Sequence, residues 1–363
     1  MNHLLLEKTK VFAKRTLHDM LGRLRPLAPV VADMAIRPIR IHFELTNLCN
    51  ANCIFCPYQF QTRPIEFMKE DVFKKAVDDY VQLGGGPVGF TPVVGESLID
   101  PHFIDRVRYL RSFPSITEIF ITTNGILLDK HGIENVVTSG LTRINLSTAG
   151  FQEEMYERLY RVASYQRMRR NVLSLLEENA KHGNPIRVNL WLRPDRDIAA
   201  VMRDPDFQPI LAYKPHIEFV WAYASARGKI TREILPGTMR LRRPRMGKET
   251  CFYMFQGPVI LEDGTVQACY RAPQTMDSQD LVIGNVMQSS LGEIWTAYQM
   301  RRLRESFQQG CAVETCRQCG LYENLATLRG PEGRKMAREN RARFEARPPV
   351  PGKAAPLVPV IEE

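Results

Sequence analysis

From Arg40 onward the hydrophobic positions change period repeatedly. Arg40-Ile-His-Phe-Glu-Leu45 alternates apolar and polar residues with period two, which predicts a strand. Lys69–Leu83 places Val72, Phe73, Ala76, Val77, Tyr80 and Val81 on one helical face. Val88–Val94 is a short apolar run bounded by glycines, so a buried strand is expected. The same reading gives helices at Phe103–Ser112, Asp129–Ser139, Glu153–Tyr160 and Tyr165–His182. It gives strands at Glu118–Thr123, Arg143–Ser147, Ile186–Leu192 and His216–Trp221, with helical or irregular chain around Ile198–Tyr213. Strand and helix thus alternate about six times, the pattern of a parallel sheet covered by helices in an α/β fold.

The flanks are different. Residues 1–38 are basic and amphipathic, with Leu5, Phe12, Leu17, Leu21 and Leu24 near helical spacing. Such a helix is expected to pack on the body, membrane contact being the lesser alternative. The six-fold alternation occupies 39–225, and 226–250, rich in Gly, Pro and Arg, is expected to be a linker. A second unit spans 251–329. Asp263-Gly264 between Val259–Leu261 and Val266–Cys269 predicts a hairpin. Ser290-Leu-Gly-Glu293 has capping-box spacing and opens one expected helix carrying Ile294, Trp295, Tyr298, Leu303 and Phe307. Residues 330–363 form a charged, then Pro-rich tail, expected to be disordered beyond about Arg347.

The chain has 363 residues, with 44% hydrophobic and 25% charged, the composition of a globular protein. The net charge of +9 suits an acidic substrate, an acidic electron donor or an anionic surface. The basic residues are scattered without a recognition module, so nucleic acid is not an expected partner. The start is too short in apolar residues, and too rich in lysine, for a signal peptide. Eight clustered cysteines without a secretory signal point to metal binding in the cytoplasm. The seven histidines show no ligand spacing, and His42 is expected to be a packed side chain.

Cys49-Asn-Ala-Asn-Cys53-Ile-Phe-Cys56 sets three thiolates in one loop after the first strand. Soft thiolates suit an iron–sulfur cube, and three ligands leave one iron open. Zinc is the alternative, although zinc pairs usually begin as C-x2-C. The motif resembles the signature of the radical S-adenosylmethionine (SAM) enzymes. That resemblance implies a partial (β/α)6 barrel and a [4Fe–4S] cluster on Cys49, Cys53 and Cys56. It also implies SAM chelated through its amino and carboxylate groups, reductive cleavage to a 5′-deoxyadenosyl radical, and a flavodoxin- or ferredoxin-type electron donor. Phe55, before the third cysteine, would flank the adenine. Val94-Gly95-Glu96 resembles the family's Gly-Gly-Glu element, with valine in place of the first glycine. By the same resemblance Asn124 and Ser147, at later strand ends, would meet the ribose and methionine parts, and Arg193 would pair with the SAM carboxylate or form an outward salt bridge.

Cys251, Cys269, Cys316 and Cys319 can surround a second cube, with Cys311 left over. They resemble the SPASM/twitch extension of that family, in the shorter form with one auxiliary [4Fe–4S] cluster. A four-cysteine zinc ribbon is the alternative. Together the resemblances imply an oxidoreductase acting on a small polar metabolite such as a sugar or cyclitol, the auxiliary cluster accepting an electron. The sequence leaves a peptide-modifying enzyme, or a non-catalytic zinc- or Fe–S-binding scaffold, as other readings. It names no catalytic base.

Overall fold

The computed structural model describes residues 26–90, 93–245, 247, 249–271 and 278–347. Most of the expected N-terminal helix lies outside these residues, and the described part is helical over Ala28–Ala35. Six strands, β1 (Ile41–Phe43), β2 (Pro87–Phe90), β3 (Glu118–Thr123), β4 (Arg143–Thr148), β5 (Arg187–Leu192) and β6 (His216–Phe219), pair in parallel in chain order. Parallel neighbours need long crossovers. Helices Glu70–Gln82, Phe103–Arg111, Ile133–Thr138 and Tyr165–Lys181 supply the first four, and the short helices Ile198–Met202 and Gln208–Leu211 the fifth. The expected partial (β/α)6 barrel is thus the observed architecture, with bounds moved by a few residues.

The two faces of the sheet carry different chemistry. Ile41 and Phe43 are fully buried towards the helices, where the Phe43 and Phe73 rings lie 4.9 Å apart. His42, on the opposite face, stacks on Tyr270 at 4.0 Å and meets the edge of Phe120. It is thus packed between rings, as the sequence suggests, and its buried Nε2 has no hydrogen-bond partner among the described residues. Along the inner face Asn189 Nδ2 donates to Asn145 Oδ1 (2.9 Å), and Asn145 Nδ2 donates to Thr122 Oγ1 (3.3 Å). Strand β2 stops at Phe90, sooner than the apolar run that ends at Val94. Further on the chain turns at Gly95, whose φ is +91° and where a Cβ would lie 2.1 Å from the Thr46 carbonyl oxygen. Only glycine fits there.

Beyond β6 comes a short ribbon of β7 (Ala222–Tyr223) and β8 (Arg240–Leu241), the latter inside the stretch expected as a linker. The predicted hairpin follows as β9 (Val259–Ile260) and β10 (Thr265–Gln267), with β11 (Val282–Asn285) beside it. Asp263 holds its turn by accepting from Thr265 N at 2.8 Å. Strand β9 pairs in parallel with β1, so the hairpin extends the barrel sheet to nine strands instead of forming a sheet of its own.

The capping box at Ser290 and Glu293 is present. The single helix expected after it is two, Leu291–Thr296 and Tyr298–Gln308, broken where Ala297 turns extended at ψ 163°. The break lets Trp295 and Met300 both bury fully and leaves Tyr298 65% exposed. A helix at Pro331–Glu345 packs on Ala28–Ala35, where Arg341 Nε donates to Asp33 Oδ1 at 2.6 Å. Among the described residues, no helix is long and apolar enough to cross a membrane.

Candidate functional site

The three-cysteine loop leaves the carboxyl end of β1, where α/β folds place their sites. Its backbone is pinned to the helix Glu153–Tyr160. Asn52 N donates to Tyr160 O (3.1 Å) and Ile54 N to Leu159 O (3.0 Å). The last carbonyls of a helix have no intrahelical partner, so they are available for this. Gln59 Nε2 donates to the Ile54 and Cys56 carbonyls from the other side. Burial pushes the Cys49, Cys53 and Cys56 thiols up, while Arg193 pulls Cys53 and Cys56 the other way. Thiols crowded in this way need a cation to become thiolates together. Among the described residues, no three cysteine sulfurs lie within 4.8 Å of one another. Four sulfurs around one zinc would sit about 3.8 Å apart, given Zn–S bonds of ~2.3 Å. The described cysteines are therefore not gathered as a preformed zinc tetrahedron.

Phe55, Ser147 and Arg193 come together although they are far apart in sequence. Arg193 Nε donates to Ser147 Oγ (2.8 Å), and that hydroxyl also meets Tyr160 Oη (3.0 Å). The Arg193 guanidinium lies over the rings of Phe55 (5.3 Å) and Tyr223 (5.7 Å), so it points inward and not to a surface salt bridge. Gly95, Glu96 and Asn124 form a second group. Glu96 Oε1 accepts from Leu98 N (3.2 Å) and Oε2 from Asn124 N (2.9 Å). Asn124 Nδ2 donates to Asn50 Oδ1 (2.7 Å), inside the cysteine loop. Burial raises Glu96 to about 7. Tyr156 is fully buried, lies in the electrostatic field of Cys53, Cys49 and Glu96, and its hydroxyl has no hydrogen-bond partner. An orphaned buried hydroxyl in the field of two of these thiols is what a site completed by a bound group looks like. Sequence reading missed Asn50, Tyr156, Tyr160 and Tyr223. The two helical tyrosines have core spacing, which hides them.

Cys251, Cys269, Cys316 and Cys319 line one small cavity together with Tyr253 and Arg271. Cys269 follows β10 and precedes Tyr270, whose ring stacks on His42 on the inner face of β1. Burial raises the Cys251, Cys316 and Cys319 thiols, Cys251 to about 11. Cys311 is exposed and stands outside the cavity, its Sγ facing Gln309 Oε1. The hairpin is also tied to the first loop. Arg63 meets Glu44 Oε1 (2.5 Å) and Glu262 Oε2 (3.2 Å), and Asn47 Nδ2 donates to Glu262 Oε1 (2.9 Å). Glu44 Oε2 accepts from Val94 N, a backbone bond that valine makes as well as glycine.

Comparison with known proteins agrees with this geometry. Residues 43–203 match the radical SAM superfamily, and 251–320 match the SPASM iron–sulfur cluster-binding domain. GTP 3′,8-cyclase of Clostridium perfringens is 28% identical over 145 residues, 39% of this chain and 44% of that enzyme. The chain thus spans less than half the length of that relative. Among solved structures, SuiB of Streptococcus suis bound to precursor peptide SuiA aligns over 81% of this chain and 73% of its own, at 13% identity and TM-score 0.57. BtrN in complex with AdoMet and 2-DOIA aligns over 78% and 92%, at 14% identity and TM-score 0.53. These likenesses extend to the fold. The chain carries a radical SAM domain over residues 43–203 and a C-terminal SPASM iron–sulfur domain over 251–320. Its cofactors are accordingly a [4Fe–4S] cluster, an auxiliary cluster and SAM.

Proposed function

We propose that this chain is a radical SAM oxidoreductase acting on a small polar substrate held between its two cysteine sites. The observation that carries it is the gathering of Phe55, Ser147, Tyr160, Arg193 and Tyr223 beside the three-cysteine loop, with the segment Arg242–Arg245 bonded to Tyr223 at one end and to Cys319 of the four-cysteine cavity at the other.

Cys49, Cys53 and Cys56 would hold the first cluster and leave a corner for SAM. When bound, the cluster and SAM would supply radical chemistry at a substrate C–H bond. Phe55 offers an aromatic face for adenine. Arg193, fixed by Ser147 and two rings, offers its remaining N–H groups to a carboxylate. Glu96, fixed by two backbone N–H groups, offers negative charge to an ammonium. The packed rings of Phe55, Tyr160 and Tyr223 exclude water from the reacting atoms. Cys251, Cys269, Cys316 and Cys319 would fill every corner of the auxiliary cluster, which favours an electron-accepting role over substrate ligation. A flavodoxin- or ferredoxin-type protein is the expected donor.

The test is anaerobic reconstitution followed by addition of dithionite and SAM. The expected result is 5′-deoxyadenosine from the native chain, none from Cys53→Ala, and about eight irons per native chain for two [4Fe–4S] cubes. Zinc in place of iron, with no SAM affinity, would overturn the assignment. Turnover of a peptide but of no small molecule would replace the substrate class.

A further inference from the structure

A cavity of about 610 Å³ opens beside the β7–β8 ribbon, apart from both cysteine sites. Its wall carries Arg227, Arg232, Arg240, Arg242 and Arg243, and no carboxylate lines it. Arg240 and Arg243 are exposed and make no ion pair among the described residues. Arg242 is oriented from behind, its Nε donating to Ala222 O at 3.1 Å. Glu314, within the field of Arg227, is already paired with Arg317. Five guanidinium groups around one concavity repel one another; Glu233 lies in the field of Arg232, and no carboxylate among the described residues lines the concavity itself.

The position of this cavity links it to the chemistry. Arg240 N donates to Trp221 O and Arg242 N to Tyr223 O, both at 2.7 Å. The Tyr223 ring lies 5.0 Å from Phe55 in the first cysteine loop. On the other side, Arg245 N donates to Cys319 O (3.1 Å), and a Cβ on Gly320 would lie 2.7 Å from Arg242 Cβ. The ribbon therefore touches both cysteine sites and presents its arginines between them.

We infer that this cleft binds the phosphate groups of a phosphorylated small molecule. Guanidinium forks match phosphate oxygens in pairs, and several forks around one cavity match several oxygens carrying more than one charge. The volume falls within the range of about 300–1,000 Å³ typical of small-molecule sites. A phosphate anchored here leaves the remainder of the molecule free to reach Phe55 and Arg193. This inference deepens the proposed reading and rests on it for the identity of the ligand as substrate.

The test is isothermal titration of the cluster-loaded full chain with inorganic tripolyphosphate at about 0.15 M salt, where loose surface attraction is screened. The expected result is one saturable site, weakened at least about tenfold by Arg240→Gln and by Arg243→Gln. Neither side chain has an internal partner, so both variants should fold, which circular dichroism checks. No saturable binding, or binding that both variants leave unchanged, would overturn the inference. So would an acidic polyglutamate peptide that displaces tripolyphosphate and binds more tightly, since the cleft would then be a protein-docking surface. SAM cleavage is assayed on the same native preparation. Cleavage without tripolyphosphate binding removes the cleft inference alone, and binding without cleavage removes the proposed oxidoreductase reading alone.

Discussion

Arg193 Nε donates to Ser147 Oγ at 2.8 Å, joining the carboxyl ends of β5 and β4 directly over the Phe55 ring. The bond fixes the guanidinium in place before any ligand arrives. Replacing Arg193 with lysine keeps the charge but loses the planar fork and the ring stacking. SAM affinity is expected to fall about tenfold or more, with iron content unchanged. Equilibrium dialysis with labelled SAM measures it, and unchanged affinity would remove Arg193 from the SAM site.

Arg63 lies between two buried carboxylates, Glu44 of the barrel and Glu262 of the hairpin. Arg63→Ala would leave both facing each other without a cation. Breaking a buried pair in this way costs about 3–5 kcal/mol. The variant is expected to melt at a markedly lower temperature and to load less iron at both sites, because the same contact joins the hairpin to the first cysteine loop. Calorimetry and iron analysis check this. A native-like melt would mean that the two acids protonate and tolerate each other.

Glu96 provides a pH signature. Burial raises it from an ordinary 4.5 to about 7 in the folded chain, so the folded state keeps this proton over a range in which the unfolded state has lost it. Its contribution to stability is then complete below about 4.5 and is lost as pH rises towards 7, on the order of 3 kcal/mol in all. Glu96→Gln cannot lose a proton. Relative to that variant, the melting temperature of the native chain without its cofactors is expected to fall between about pH 5 and pH 7. Parallel pH profiles for the two proteins would count against the raised value.

Cys311 and Cys316 are near neighbours in sequence with opposite surroundings. Cys316 is buried in the four-cysteine cavity, and Cys311 is exposed outside it. Cys311→Ser is expected to leave iron content unchanged. Cys316→Ser is expected to lose about the four irons of one cube. Iron loss in the Cys311 variant would reassign the ligand set.

The parts of the site legible in the sequence are those with short, fixed spacing. Three cysteines in one loop can converge without knowledge of the fold, because the loop itself brings them together. A hairpin with a cysteine after it, followed by C-x2-C, is nearly as local. The strands and helices of the barrel were legible for a similar reason, since period two and period 3.6 are properties of consecutive residues. The aromatic and polar wall beside the first loop was not. Tyr156 and Tyr160 are spaced like core residues, and only the pinning of their helix to Asn52 and Ile54 turns them towards the cysteines. The two helices after Ser290 also escaped, because the extended Ala297 answers to the burial of Trp295 and Met300 and not to local propensity.

The sequence by itself determined the α/β class, the order of the strands, and two groups of thiols suited to iron. Each depends on contacts within a few turns of chain. The tertiary structure decided the rest. Pairing of β9 with β1 made the second unit an extension of the barrel sheet. The meeting of strand ends placed Arg193 on Ser147 and Asn124 on Asn50. The ribbon after β6 gathered the arginines of a segment that reads as a linker into one cleft. These are contacts between residues distant in the chain, set by burial and sheet register, and a linear pattern carries no record of which distant strands will meet.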